Sequence, residues 1–260
     1  MPYQDLSPKL PLNQYIKCFW SITRSFDTRE KPVEILPDSY RELIFSFKSP
    51  CILVKGNSEE VLPDCFAVNL LEKPLYIKAR GDIFIVGVRL YPFICLGFLN
   101  TAEPIIGLPL SLTELYSAIV QVITKNPAES VLELFEDYFS SSLKLFDTDS
   151  RLLNSCREII EKKGVISASA ISGASFTTNR TMERIFRKMI GQTPKGLARK
   201  VRFEFIRNFL WNHPDTDLTD LACSLNFTDL AHLSNDFRRF SNQNPSDFIE
   251  YVRQKKKLLI

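Results

Sequence analysis

The spacing of apolar residues changes character along the 260-residue chain. Up to about residue 110, apolar positions come in short runs and alternations at 15–23, 34–36, 42–47, 51–55, 66–70, 75–78 and 83–90. Turn-forming residues separate them, among them Pro37-Asp38, Lys48-Ser49-Pro50, Gly56-Asn57, Pro63-Asp64 and Gly81-Asp82. Many short strands with such punctuation predict a small barrel or sandwich. From residue 112 the period lengthens to that of a helix. Leu112, Leu115, Tyr116 and Ile119 form one stripe behind a capping Ser111, and Val131, Leu134, Phe135, Tyr138 and Phe139 form a second, with Asn126-Pro127 as the break. Residues 144–150 read as an interdomain boundary. A helix over 151–162 follows, with Leu152, Leu153, Cys156, Ile159 and Ile160 inward and Gly164 as its stop.

Residues 166–189 and 218–240 then repeat one pattern: a short apolar helix, a tight turn with a capping residue, and a second helix with a basic outer face. This is the grammar of a helix-turn-helix, whose second helix enters the DNA major groove. In the first copy Thr178 is the N-cap, and Met182, Ile185, Phe186 and Met189 share one face. Arg180, Arg184 and Arg187 project from the other side. Three guanidiniums in a row repel one another unless an anion lies alongside, and their planar forks suit guanine O6/N7 and phosphate. A solvated basic face is the plain alternative. In the second copy Asp229 or Thr228 caps, and Leu233, Phe237 and Phe240 face inward. Ala231, Asn235 and Arg238 face outward, with Arg239 at the edge. Asn can read adenine and an Ala methyl can touch thymine, though both also suit plain surface. Between the copies, Thr193 as cap, Pro194 at the first helical position and Leu197, Val201, Phe205 and Phe209 at intervals of four predict a long helix over 194–211. His213-Pro214 stops it. Such a helix is a rod holding two reading heads apart.

On these residues the last hundred or so positions resemble the DNA-binding domain of the AraC/XylS family of bacterial transcription regulators. The matching residues are Arg180, Met182, Arg184, Phe186, Gly191 and Pro194, then Leu221-Ala222, Asn226-Phe227, Asp229, His232, Ser234, Phe237, Arg238 and Pro245. The segment from Asn242 to Phe248 resembles the family's closing Gly-x-Ser-Pro-x-x-Phe stretch. Ser175-Phe176-Thr177 departs from a usual Leu-Gly-aliphatic run. Asn226 and Asn242 stand where Gly is usual, and Asn tolerates positive φ. Asn235 replaces a common Arg. The resemblance implies base-reading positions at Arg180, Thr181 and Arg184 in the first head and at Leu230, Ala231, His232 and Asn235 in the second. Thr178, Arg187, Arg238 and Arg239 join them as DNA contacts.

Pro8, Tyr15, Trp20, Leu36-Pro37-Asp38 and the run from Val86 to Pro92 resemble the cupin-like sensory domain of one AraC-type subfamily. The whole then reads as an α+β chain. Residues 1–111 form a β-rich sensory domain, 112–148 a helical bridge, and 149–260 the all-α DNA-binding domain. In the family such bridges often dimerise; packing back on the β-domain is weighed equally. Double-stranded DNA is the expected partner. RNA polymerase, a small-molecule effector and a second copy through residues 112–145 are further partners the resemblance admits.

Charge sharpens this picture. The net +3 conceals a split. Residues 150–260 carry 19 Lys and Arg against 11 Asp and Glu, a net of +8, and the remainder carries 14 against 19, a net of −5. A basic module of this kind is the footprint of phosphate binding; Lys255-Lys256-Lys257 adds to it or forms a solvated end. Six cysteines without a CxxC pair, and no signal peptide, are expected of reduced thiols in a cytoplasmic, nucleoid-associated protein. The most apolar stretch, 83–99, is broken by Arg89 and Pro92, so no membrane span is expected. Only His213 and His232 occur, both outside the strand region, which excludes a His-rich cupin metal site there. No cofactor and no catalytic residue is expected; a cupin-like or DNA-repair enzyme fused to a DNA reader is the rival. Trp20, Arg41 and Arg89 are the effector candidates, since an inward Arg suits an anionic ligand. For the arginines the alternative is an outward pair with Glu42 or Glu34; for Trp20, as for Tyr40, it is plain aromatic core.

Overall fold

The computed structural model describes residues 3–27, 30–94, 96–99, 101, 103–123, 129–142 and 148–257. Among them lie ten strands: β1 (Tyr3–Leu6), β2 (Ile16–Phe26), β3 (Val33–Ile35), β4 (Arg41–Lys48), β5 (Ile52–Lys55), β6 (Ser58–Val61), β7 (Cys65–Val68), β8 (Leu75–Lys78), β9 (Gly81–Leu90) and β10 (Ile105–Gly107). They form two antiparallel sheets, ordered β1-β2-β9-β4-β7-β10 and β3-β8-β5-β6. The architecture is a sandwich, with no closed barrel. Seven strands fall where the apolar runs predict them. The other three, β1, β6 and β10, all lie at sheet edges. An edge strand packs fewer neighbours and needs no alternation; Ser58-Glu59-Glu60-Val61 is exposed throughout, and its charges blunt an open edge. Its hairpin was signalled only by Gly56-Asn57, with Gly56 at φ +60°.

The large sheet has two apolar faces. Leu43, Phe45 and Phe47 pair with Val88, Val86 and Phe84, and these side chains share one face; Ile44 and Ile85 take the other. The second face closes on the small sheet through Leu53, Leu62 and Phe66. The first is covered by α1 (Leu110–Ile123) and α2 (Glu129–Ser141). Phe135 sits 5.6 Å from Phe19 and 5.5 Å from Phe45, and Tyr116 stacks on Phe47 at 4.8 Å. The stripes on both bridge helices are therefore spent on the sheet. Asn126-Pro127 and most of the predicted boundary lie outside the described residues.

The carboxyl-terminal domain comprises α3 (Ser150–Glu161), α4 (Ala168–Gly173), α5 (Asn179–Met189), α6 (Pro194–Asn212), α7 (Leu218–Ser224), α8 (Leu230–Ser241) and α9 (Pro245–Lys257). Thr193 caps α6 by accepting the Gly196 N–H at 3.0 Å. The stripe expected on this rod needs correction. Leu197 and Val201 are buried, but Phe205 and Phe209 are only half-buried, and Phe203, Ile206 and Leu210 take the core positions. The rod serves two cores. Its first half joins the apolar cluster of α3–α5, which runs on without interruption into the sandwich; its second half belongs to the separate cluster of α7–α9. The buried face shifts around the axis between the two, so no single stripe runs its length.

Candidate nucleic-acid interface

Each head is built by local rules. In the first, Thr178 Oγ1 accepts the Thr181 N–H at 3.2 Å, as its position before the arginine helix predicts. Met182, Ile185 and Phe186 are buried. Arg180, Arg184 and Arg187 are exposed, and among the described residues they make no ion pair; Thr181 is half-buried beside them. The unusual turn has its own chemistry. Ser175 Oγ lies 2.8 Å from Ser155 Oγ and donates to the Arg151 carbonyl at 2.7 Å, a small buried network in place of an aliphatic contact. Phe176 takes φ +49° and is fully exposed.

In the second head Asp217 caps α7, and Asp229 rather than Thr228 caps α8, accepting the His232 N–H at 2.7 Å. Asn226 and Asn242 adopt φ +55° and +57°, the left-handed conformation for which Asn substitutes for Gly. Leu230, Ala231, Asn235, Arg238 and Arg239 are exposed and His232 is half-buried. The two heads differ in charge availability. The Arg238 guanidinium is held by the Asn244 side chain, and Arg239 faces Glu72 of the β-domain at 3.9 Å. Asp236, on the inner side of α8, ties that helix to the rod through Arg202 at 2.8 Å and Arg199 at 3.5 Å.

The β-domain docks on both heads through polar contacts. Arg41, fully buried, donates to Asn69 Oδ1 (3.0 Å), the Ile94 carbonyl (2.6 Å) and the Ile190 and Met189 carbonyls (3.2 and 3.4 Å). The last two are at the C-terminal end of α5, where a cation also complements the helix dipole. Ser39 donates through N–H (3.0 Å) and Oγ (2.5 Å) to the Glu204 carboxylate on α6. Gln192 Nε2 donates to the Leu70 carbonyl at 3.3 Å. The structure does not bring the three effector candidates together. Arg41 faces the DNA-binding domain. Arg89, on the opposite face of the sheet, pairs with Glu42 at 2.5 Å. Trp20 lies so close over Gly87 that a Cβ there would come within 2.3 Å of the ring.

Glu72, Lys200, Glu204 and Asp236 carry much of this organisation and escaped sequence reasoning. Lys200 had one legible hint, its helical spacing from Leu197 beside Val201. Its side chain is fully buried, 3.6 Å from Glu72. Burial lowers its pKa to about 8, and Glu72 only partly opposes this. Between that value and the ordinary 10.5 the folded state sheds a proton that the unfolded chain keeps, so stability rises with pH across this window. Below pH 8 burying the charge costs on the order of 3 kcal/mol. Lys200→Met is therefore expected to be more stable than the parent at pH 7.5, with the advantage vanishing as pH approaches 10.5. Urea melts at pH 7.5, 9 and 10 check this; a pH-independent difference would contradict it.

Among the described residues no group of three His, Cys, Asp or Glu could hold a metal ion, and no helix is long and apolar enough to cross a membrane. Two capped helix-turn-helix units on one rod, beneath a β-sandwich, define a DNA-binding regulator with an amino-terminal accessory domain. A family model described as a helix-turn-helix domain matches residues 171–251, and one described as a domain of unknown function (DUF6597) matches residues 4–104. Among solved structures, ToxT from Vibrio cholerae is similar over 90% of this chain and 98% of its own, at 13% identity and a TM-score of 0.50. A ToxT structure with bound unsaturated fatty acid matches over 89% and 94%, at 13% identity and a TM-score of 0.48. No curated protein matches the chain. The match over residues 171–251 identifies the carboxyl-terminal segment as a helix-turn-helix domain, and its motifs resemble those of the AraC/XylS-type transcription regulators.

Proposed function

We propose that the two heads read DNA together, with α5 and α8 in successive major grooves of one duplex face. The observation that carries this is the first head's stripe of Arg180, Arg184 and Arg187, exposed and without ion pairs among the described residues. A fold does not keep three adjacent cations unpaired for its own stability. Arg180, Thr181 and Arg184 read bases, with Thr178 and Arg187 on the backbone. Leu230, Ala231, His232 and Asn235 read the second patch. It is the weaker reader, because Arg238 and Arg239 are engaged elsewhere. Hydroxyl-radical footprinting of the full chain should show two patches about 10 base pairs apart. Arg184→Ala should cost about 1–3 kcal/mol on the preferred site and less on random DNA. Equal losses on both would make Arg184 a phosphate contact only.

The amino-terminal domain is the regulatory part of this proposal. Its support is the interface at Arg41, Ser39 and Glu72, which touches both heads and the rod. A small-molecule effector that binds this domain would act through those contacts. RNA polymerase is the partner a regulator of this type engages. A homodimer through residues 112–145 would have to use polar outer faces, since Val120 is the large apolar side chain left exposed on the described part of α1 and α2.

A further inference from the structure

A basic cleft lies between the two heads. Its cavity of about 460 Å³ is lined by Ser167 from the first head, Asn226 and His232 from the second, and Lys195, Arg199 and Arg202 from the rod. The three cations lie at i, i+4 and i+7, on one face of α6. Among the described residues a single carboxylate, Asp236, pairs with both arginines, so the wall keeps an excess of positive charge. The Arg202 guanidinium is held 3.9 Å over the Phe227 ring, which fixes its plane. The Arg202 Nε–H is buried without an acceptor among the described residues, and the buried Arg199 Nε reaches only the long 3.5 Å contact with Asp236. A buried guanidinium N–H without an acceptor costs stability unless an anion arrives to take it.

We infer that this cleft grips the phosphodiester backbone of the DNA segment running between the two heads. The inference rests on the two-headed reading above. If α5 and α8 enter successive major grooves, the intervening backbone must cross the space between them on the same side of the protein. His232 locates that side, because it lies in the first turn of α8 and also lines the cleft. Both heads and the rod contribute walls, so the cleft keeps its shape only while the heads hold their spacing. It supplies affinity without sequence preference and sets the register of the two readers.

The test uses the full chain and a duplex containing its preferred site. Neutral methylphosphonate linkages are placed one at a time between the two protected patches. The parent should lose affinity at one or two of these linkages. Lys195→Gln/Arg199→Gln should be indifferent to those same linkages, and its log–log salt slope should be shallower by about 1.8, or about 0.9 for each phosphate the variant leaves unneutralised. Should the double variant melt early, Lys195→Gln alone, at an exposed position, should flatten the slope by about 0.9. An unchanged slope, or equal sensitivity of parent and variant to every linkage, overturns the cleft. Two protected patches with no linkage effect overturn the cleft but leave the two heads standing, whereas a parent without two patches overturns both.

Discussion

Replacing Gly164 by alanine should destabilise the protein by about 2–5 kcal/mol. Two independent costs add. Gly164 sits at φ +74°, where an L side chain costs about 1–2 kcal/mol. It also lies where the chain leaving α3 crosses the rod. A Cβ there would stand 2.1 Å from the Ala198 carbonyl oxygen and 2.7 Å from the Arg202 nitrogen. These are backbone atoms of a helix and cannot swing aside as a flexible side chain would, so α3 or α6 must shift, with an overpacking cost of about 1–3 kcal/mol. Gly191 provides the control: its φ is +81°, but an added Cβ meets nothing within 4 Å. Gly191→Ala should show the conformational cost alone. For a chain of this size the melting temperature should fall by roughly 2–4 °C per kcal/mol. Equal melting temperatures for the two variants would show that the helix crossing relaxes freely.

Arg41→Met should cost about 3–5 kcal/mol and loosen the contact between the β-domain and the first head. The guanidinium is fully buried and serves Asn69, Ile94, Met189 and Ile190 at once. Methionine fills part of the volume but donates nothing, so buried acceptors on both domains lose their partner, at about 1–3 kcal/mol for each left unsatisfied. The apolar cluster shared by sandwich and first head persists, so the domains should not separate. Instead, amide hydrogen exchange should quicken around residues 189–192 and 94. Arg89→Met, on the other face of the sheet, should leave exchange at those positions unchanged. A loss below about 1 kcal/mol with unchanged exchange would mean that apolar packing alone holds the interface.

What the sequence determined by itself is what depends on residues a few positions apart. The caps at Thr178 and Thr193, the stop at Gly164, and the inward and outward faces of α5 and α8 all follow from local hydrogen bonding and helical periodicity; for the cap of α8 the sequence left Asp229 and Thr228 open, and for Asn226 and Asn242 it offered only a tolerance of positive φ. The seven strands whose apolar runs face a packed layer follow from local patterns too. The two-headed basic module needed no more than these, because its basic outer faces are exposed and each helix presents its face alone. Tertiary structure decided the rest. Arg41 and Arg89 are indistinguishable as arginines in apolar strands; strand pairing and the docking of α5 send one across the domain interface and the other to Glu42. The phenylalanines of the rod divide between core and half-exposed positions because two separate clusters meet it from different directions, which no single period encodes. Glu72, with neither motif nor periodicity to mark it, meets Lys200 and Arg239 only because the loop between β7 and β8 reaches the rod. Long-range charge pairing of this kind is set by how the layers stack, and the chain spells out only the layers.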